Sequence, residues 1–190
     1  MIRDLIIKNR SYRKFDRSVK IENTQIEKWI DLARLSPSAR NMQPLKYVIC
    51  TDDKINSQIF PHLGWAGYLK EWPGPDENER PVAYLAVLLD KNLSNDYCCD
   101  DGIALQSILL GAVEDGFGGC IIGSVNKSKV ANILKLTDNL DILYILALGK
   151  PAEKVVLETA TLNEIKYWRD EENVHHVPKR TLKELIIKSV

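Results

Sequence analysis

The stretch YCCDDGIALQSILLGAVED, residues 97–115, followed at once by GFGGCII, residues 116–122, decides the architecture. Its apolar residues cover most of a helical circumference, leaving Asp100, Ser107, Gly111 and Glu114 as a narrow polar stripe. A helix apolar on so many sides belongs at the centre of a fold or in an interface. Gly116, Gly118 and Gly119 break it, and residues 120–122 read as a strand. The chain therefore passes directly from a central helix into a sheet.

Outward from there, residues 84–89 (YLAVLL) and 142–148 (ILYILAL) are continuous apolar runs, expected of strands covered on both faces. Residues 46–51 (KYVICT) are short, β-branched and aromatic, and read as another strand. Helices are predicted over residues 2–8 and from Thr24, where T-Q-I-E forms a capping box that puts Ile26, Trp29, Ile30 and Ala33 on a buried face and ends near Pro37. Asp52 and Asp53 cap a helix carrying Ile55 and Ile59 inward, and Val130, Ile133 and Leu134 mark a further one. Residues 71–81, with three prolines among charges, read as a surface loop. A second capping box, T-L-K-E at Thr181, opens the last helix, with Leu182, Leu185 and Ile186 expected inward. Four strands interleaved with helices give a layered α/β or α+β domain spanning residues 1–190.

Composition narrows the function. The chain has 190 residues, 45% hydrophobic and 27% charged, with 26 basic and 26 acidic side chains. Zero net charge argues against a general nucleic-acid or membrane-surface binder. No apolar run approaches the roughly 20 residues of a membrane-spanning helix, and the N-terminus lacks a signal-peptide core. Cys50, Cys98, Cys99 and Cys120 contain no C-x-x-C pair, and two of them sit in apolar runs. The expectation is a cytoplasmic protein without a disulfide framework or a metal site.

Three stretches carry more polar groups than packing requires. Asn9-Arg10-Ser11-Tyr12-Arg13-Lys14 suits a phosphate, and equally a solvated basic helix end. Ser36-Pro37-Ser38-Ala39-Arg40-Asn41-Met42-Gln43-Pro44 fits either a stiff loop holding donors and acceptors against a planar ligand or an ordinary helix-to-strand turn. His176-Val177-Pro178-Lys179-Arg180 sets two cations before a helix N-terminus, against the dipole preference, a conflict that a bound anion resolves. His175-His176 is not metal-ligand spacing, and the acids at 100–101 are those of a helix start. The glycines at 118–123 match neither the P-loop nor the dinucleotide pattern, and no local nucleophile signature is present.

In their order, these stretches resemble the FMN-dependent nitroreductase family, nearly end to end. The resemblance is carried by Arg10-Ser11-Tyr12-Arg13-Lys14-Phe15, by residues 37–44, and by Asp101-Gly102-Ile103-Ala104-Leu105-Gln106. Gly118-Gly119-Cys120-Ile121-Ile122-Gly123-Ser124, Leu148-Gly149-Lys150-Pro151 and Pro178-Lys179-Arg180 complete it. Trp65-Ala66-Gly67-Tyr68-Leu69 and Glu79-Arg80-Pro81 are similar to the shorter, single-domain members.

The resemblance implies an α+β fold with a central mixed sheet flanked by helices, in an intertwined homodimer with two FMN sites at its interface. Arg10, Ser11 and Arg13 then match the motif on the phosphate, ribityl chain and pyrimidine side of the flavin. Pro37, Ser38, Ala39, Asn41 and Gln43 match the loop lining the ring, partly from the second subunit. Ile122 and Gly123 match the backbone beside flavin N5, and Lys179 and Arg180 the C-terminal cations on the phosphate. Asn9, Leu45 and Lys150 depart from the family's usual Arg, Trp and Tyr. The implied activity is hydride transfer from NAD(P)H through FMN to a small acceptor, a nitroaromatic or quinone, with no side chain assigned as nucleophile or base. Trp65 and Tyr68 are offered either as stacking groups for that acceptor or as interface packing. The alternative is an FMN-binding carrier or sensor without turnover; dehalogenating or flavin-fragmenting relatives need substrate-shaping insertions not identified in 61–81.

Overall fold

The computed structural model describes residues 1–161 and 164–190. Along the chain run α1 (Ile2–Lys8), β1 (Phe15–Asp16), α2 (Asn23–Leu35), β2 (Leu45–Cys50), α3 (Asp53–Ile59), β3 (Ala83–Asp90) and α4 (Asp100–Glu114). After them come β4 (Gly118–Ile122), α5 (Lys127–Leu134), β5 (Leu140–Pro151), β6 (Val155–Thr159), β7 (Trp168–Arg169), β8 (His175–Lys179) and α6 (Leu182–Leu185).

Strands β3 and β5 are continuously apolar because helices cover both sides of the sheet. In β3 the side chains alternate between two cores. Leu85 and Val87 join Ile26 and Trp29 of α2 and Leu105, Ile108 and Ala112 of α4. Tyr84, Ala86 and Leu88 join Ile59 of α3 and Val130 of α5. β5 pairs antiparallel with β1, β3 and β4, and β2 lies beyond β3, also antiparallel. Parallel pairing occurs at a bridge from Ser11 to Gly119 and between β6 and β8. The arrangement is α+β.

Helix α4 is buried on most of its circumference, as its composition requires. Its Gly111 faces Trp29, whose ring lies 3.1 Å from where a β-carbon would stand, so α2 and α4 approach closely. The Trp29 indole N–H donates to Asp115 at 2.8 Å and ties the two helices at one end.

Several expectations need correction. Thr24 does not cap α2; the helix begins at Asn23 with Glu22 at the cap position, and no side chain bonds there. The predicted helix over 97–115 starts only at Asp100, since Cys98 takes a left-handed backbone with φ 48°. The Thr181 capping box is present, yet Leu182, Leu185 and Ile186 of its helix point outward and are exposed. Strands β1, β6, β7 and β8 escaped the reading. β8 holds Pro178, ordinarily a mark against a strand. It is tolerated because β7 runs beside β8 only at His175 and His176, leaving Pro178 without a partner strand on that side.

Candidate functional site: two clefts on one chain

After α1 ends, Asn9 turns the backbone extended and residues 9–14 run beside β4. The Tyr12 N–H donates to the Gly119 carbonyl at 3.0 Å. Gly118 permits this closeness, for a β-carbon there would stand 2.6 Å from the Tyr12 ring. A cleft of about 350 Å³ opens between this segment, α4 and the small sheet. Arg10, Ser11 and Arg13 line one wall, Gln106, Leu109 and Ile121 another, and Tyr167, His175, Val177 and Lys179 the third.

Three cations and no carboxylate line this cleft. Among the described residues none of the three side chains forms an ion pair with a carboxylate. Burial holds Arg10 below the ordinary guanidinium value, and its Nε is enclosed without a partner. Cations concentrated in this way give the cleft a positive potential.

Arg13 is only 8% exposed. Its Nη1 donates to the Ser11 carbonyl at 3.1 Å and lies 3.1 Å from His175 Nε2. Its guanidinium stands 4.8 Å from the centre of the Tyr167 ring. The backbone N–H groups of Arg13 and Lys14 both donate to Glu153 Oε1, and Glu153 Oε2 accepts from Arg169 at 2.7 Å. His175 is buried, and burial, reinforced by Arg13 and Arg169, pushes its pKa down to about 4. It is therefore neutral at physiological pH.

The second cleft, about 310 Å³, is more apolar. Pro37, Ser38 and Gln43 meet Ile30 and Ala33 of α2, Leu45 and Tyr47 of β2, and Asp100 and Ile103 of α4. Asp100, 4% exposed, is its organising group. Its two carboxylate oxygens accept from Ser38 Oγ at 2.6 Å and from the Ala39 N–H at 2.8 Å, and Ser38 Oγ accepts the Gln43 N–H at 2.9 Å. Arg40, Asn41 and Gln43 all take left-handed backbone, with φ of 52°, 55° and 50°. Non-glycine residues persist there only when the surroundings over-determine them. The loop's stiffness thus comes largely from Asp100, which its position at a helix start did not reveal.

Of the residues singled out from sequence, Arg10, Ser11, Arg13 and Lys179 converge on the first cleft, and Pro37, Ser38 and Gln43 on the second. Ala39 and Asn41 lie in the loop beside it. Ile122 turns its side chain into the core on the α3–α5 side, while Ile121 of the same strand faces the first cleft and Gly123 follows exposed. Arg180 does not line the cleft and pairs with Glu184 at 3.6 Å. Trp65 is enclosed beside Phe60, with ring centres 5.8 Å apart. Tyr68 is exposed, its ring centre 4.9 Å from that of Tyr167. Asn9, one of the departures, is buried and donates to Gln106 at 3.2 Å.

Gln106 and His175, noted in sequence but not assigned to the site, and Glu153 and Tyr167, not noted at all, belong to this cleft or its support. One signal existed for His175: in a strand over HHVPK, period two puts His175, Val177 and Lys179 on one face, and all three line the first cleft.

Apolar side chains also remain outside. Ile2, Ile6 and Ile7 of α1, Leu32 and Leu35 of α2, and Leu182 and Leu185 of α6 are all exposed. No described helix is long and apolar enough to cross a membrane.

The model of the nitroreductase family matches residues 6–88 and 94–150. An oxygen-insensitive NADPH nitroreductase of Helicobacter pylori (strain 26695) is 25% identical over 181 residues, covering 78% of this chain and 86% of that protein. Among solved structures, a nitroreductase family protein from Streptococcus pneumoniae TIGR4 shares 16% identity over the whole of both chains, with a TM-score of 0.73. One from Clostridium novyi NT shares 24% identity, covering 97% of this chain and 98% of that one, with a TM-score of 0.66.

Proposed function

This chain belongs to the nitroreductase family, and we propose that it is an FMN-dependent NAD(P)H oxidoreductase passing hydride to a small acceptor such as a nitroaromatic or quinone. The observation carrying this reading is the first cleft, with Arg10, Arg13 and Lys179 beside Ser11 and no carboxylate. Such a cleft selects an anion, and the orphaned Arg10 Nε is a donor that a phosphate satisfies. The name borne by the Helicobacter pylori relative supports NAD(P)H as donor.

When bound, FMN would supply the two-electron redox chemistry between NAD(P)H and the acceptor. The chain's own residues bind and orient. Arg10 and Lys179 would hold the phosphate, Ser11 the ribityl chain, and Arg13 the pyrimidine edge, while Arg180, paired with Glu184, stands outside the cleft. A guanidinium there stabilises negative charge as it develops on the ring. Pro37, Ser38, Ala39, Asn41 and Gln43 would line the ring, partly from a second copy of the chain, and the backbone of Ile122 and Gly123 would face its reactive edge. Tyr68, at the rim, stacks the acceptor, and Trp65 anchors the loop that carries it. The exposed apolar residues of α1, α2 and α6 are covered in a cytoplasmic homodimer. No side chain serves as nucleophile or general base.

An absorption spectrum of the isolated protein with added FMN, followed by anaerobic titration with NADH and NADPH, tests the reading. A bound flavin that bleaches on titration is expected. A bound flavin that stays oxidised makes the protein a carrier or sensor, and a protein that binds no FMN overturns the proposal.

A further inference from the structure

We propose that His175 is a positioning residue that aims Arg13 into the first cleft, its Nε2 serving as a fixed acceptor for one guanidinium hydrogen. The inference rests on reading that cleft as the FMN site.

The argument is an account of donors. A guanidinium carries five N–H groups and accepts nothing, so any nitrogen it bonds must offer a lone pair. Nη1 has two hydrogens, and two acceptors stand 3.1 Å from it, the Ser11 carbonyl and His175 Nε2. The His175 ring must therefore carry its proton on Nδ1, an atom that is buried and unpartnered. Such an orphan donor has a cost, and the ring is retained in that state beside Arg13. Glu153 fixes the same residue from behind through its backbone N–H. Tyr167 covers the guanidinium with its ring, and its hydroxyl accepts the Tyr68 N–H at 3.2 Å.

With Nη1 saturated, Nε and Nη2 have no hydrogen-bond partner among the described residues. That edge of the guanidinium presents two parallel donors, the geometry that recognises adjacent acceptors bidentately. The sequence spends a buried imidazole to leave that edge free and immobile. A serine carbonyl alone leaves the head group able to rotate.

Two measurements decide the matter. In the protein without flavin, ¹⁵N-resolved NMR of the imidazole is expected to show the neutral Nδ1–H form between about pH 6 and 8. An Nε2–H form or a charged ring there overturns the proposal. In the flavin-loaded protein, His175→Leu is expected to weaken FMN binding about tenfold and shift the flavin midpoint potential to more negative values. His175→Gln, whose amide oxygen restores an acceptor, is expected to stay within about threefold of wild type at an unchanged potential. A Leu variant indistinguishable from wild type overturns the role, and so does a Gln variant as impaired as Leu. A wild-type protein with no FMN affinity overturns the cofactor reading instead, and the tautomer measurement then decides alone whether His175 holds Arg13.

Discussion

The first cleft draws its walls from residues 9–13, 106–121 and 167–179, whereas the second is built from residues 30–47 and the first turns of α4. One is charged and joins three distant stretches of chain, while the other is more apolar and joins two. The difference governs what holds each of them. In the first, a cation near the N-terminus is fixed by an imidazole, a ring and a carboxylate from beyond residue 150. In the second, one buried carboxylate pins a loop in three left-handed conformations.

The widest separation of the two is expected from Glu153→Ala. It strands Arg169 and two backbone N–H groups at a side chain that is 1% exposed. Breaking a buried pair of this kind costs about 3–5 kcal/mol, read from urea unfolding, and the second cleft offers no compensation. Asp100→Ala attacks the other side. It removes both anchors of the Ser38 loop and is expected to cost about 1–3 kcal/mol. Hydrogen exchange is expected to quicken at Ala39 and Gln43 and to stay unchanged at Tyr12 and Arg13.

A finer contrast lies within β8, where neighbouring histidines face opposite ways. His175 is depressed to about 4 from an ordinary 6.5, chiefly by burial. The unfolded chain takes up its proton first, so its contribution is complete above 6.5 and is lost as pH falls toward 4. His176 is raised by its hydrogen bonds to Asp170 and Glu158. Its contribution is complete below 6.5 and is lost as pH rises through the raised value. Urea midpoints measured across pH are expected to show a shallower acid slope in His175→Gln and a shallower alkaline slope in Glu158→Gln, where Asp170 still bonds His176.

The same contrast explains what the sequence made legible. Apolar runs at 84–89 and 142–148 and the helix after residue 97 revealed the layered core, because burial on both faces leaves its mark in composition. The second cleft's loop was visible too, since its polar residues are contiguous. Asp100 was visible only as a helix-start acid, its grip on Ser38 being a contact across 62 residues. The wall of the first cleft was harder still. Glu153 reaches Arg13 across 140 residues and His175 across 162, and no periodicity records such pairings. The small sheet was missed because β7 has two residues and β8 holds a proline.

On the proposed function, the two clefts, separate on one chain, complete a single FMN site across two. Differently tagged Arg13→Gln and Asp100→Ala chains, co-expressed and purified as a mixed dimer, test it most directly by flavin content. Each variant alone is expected to hold no FMN, while the mixed dimer, with one site carrying both lesions and the other neither, holds one FMN per dimer. A mixed dimer as empty as its parents contradicts the account.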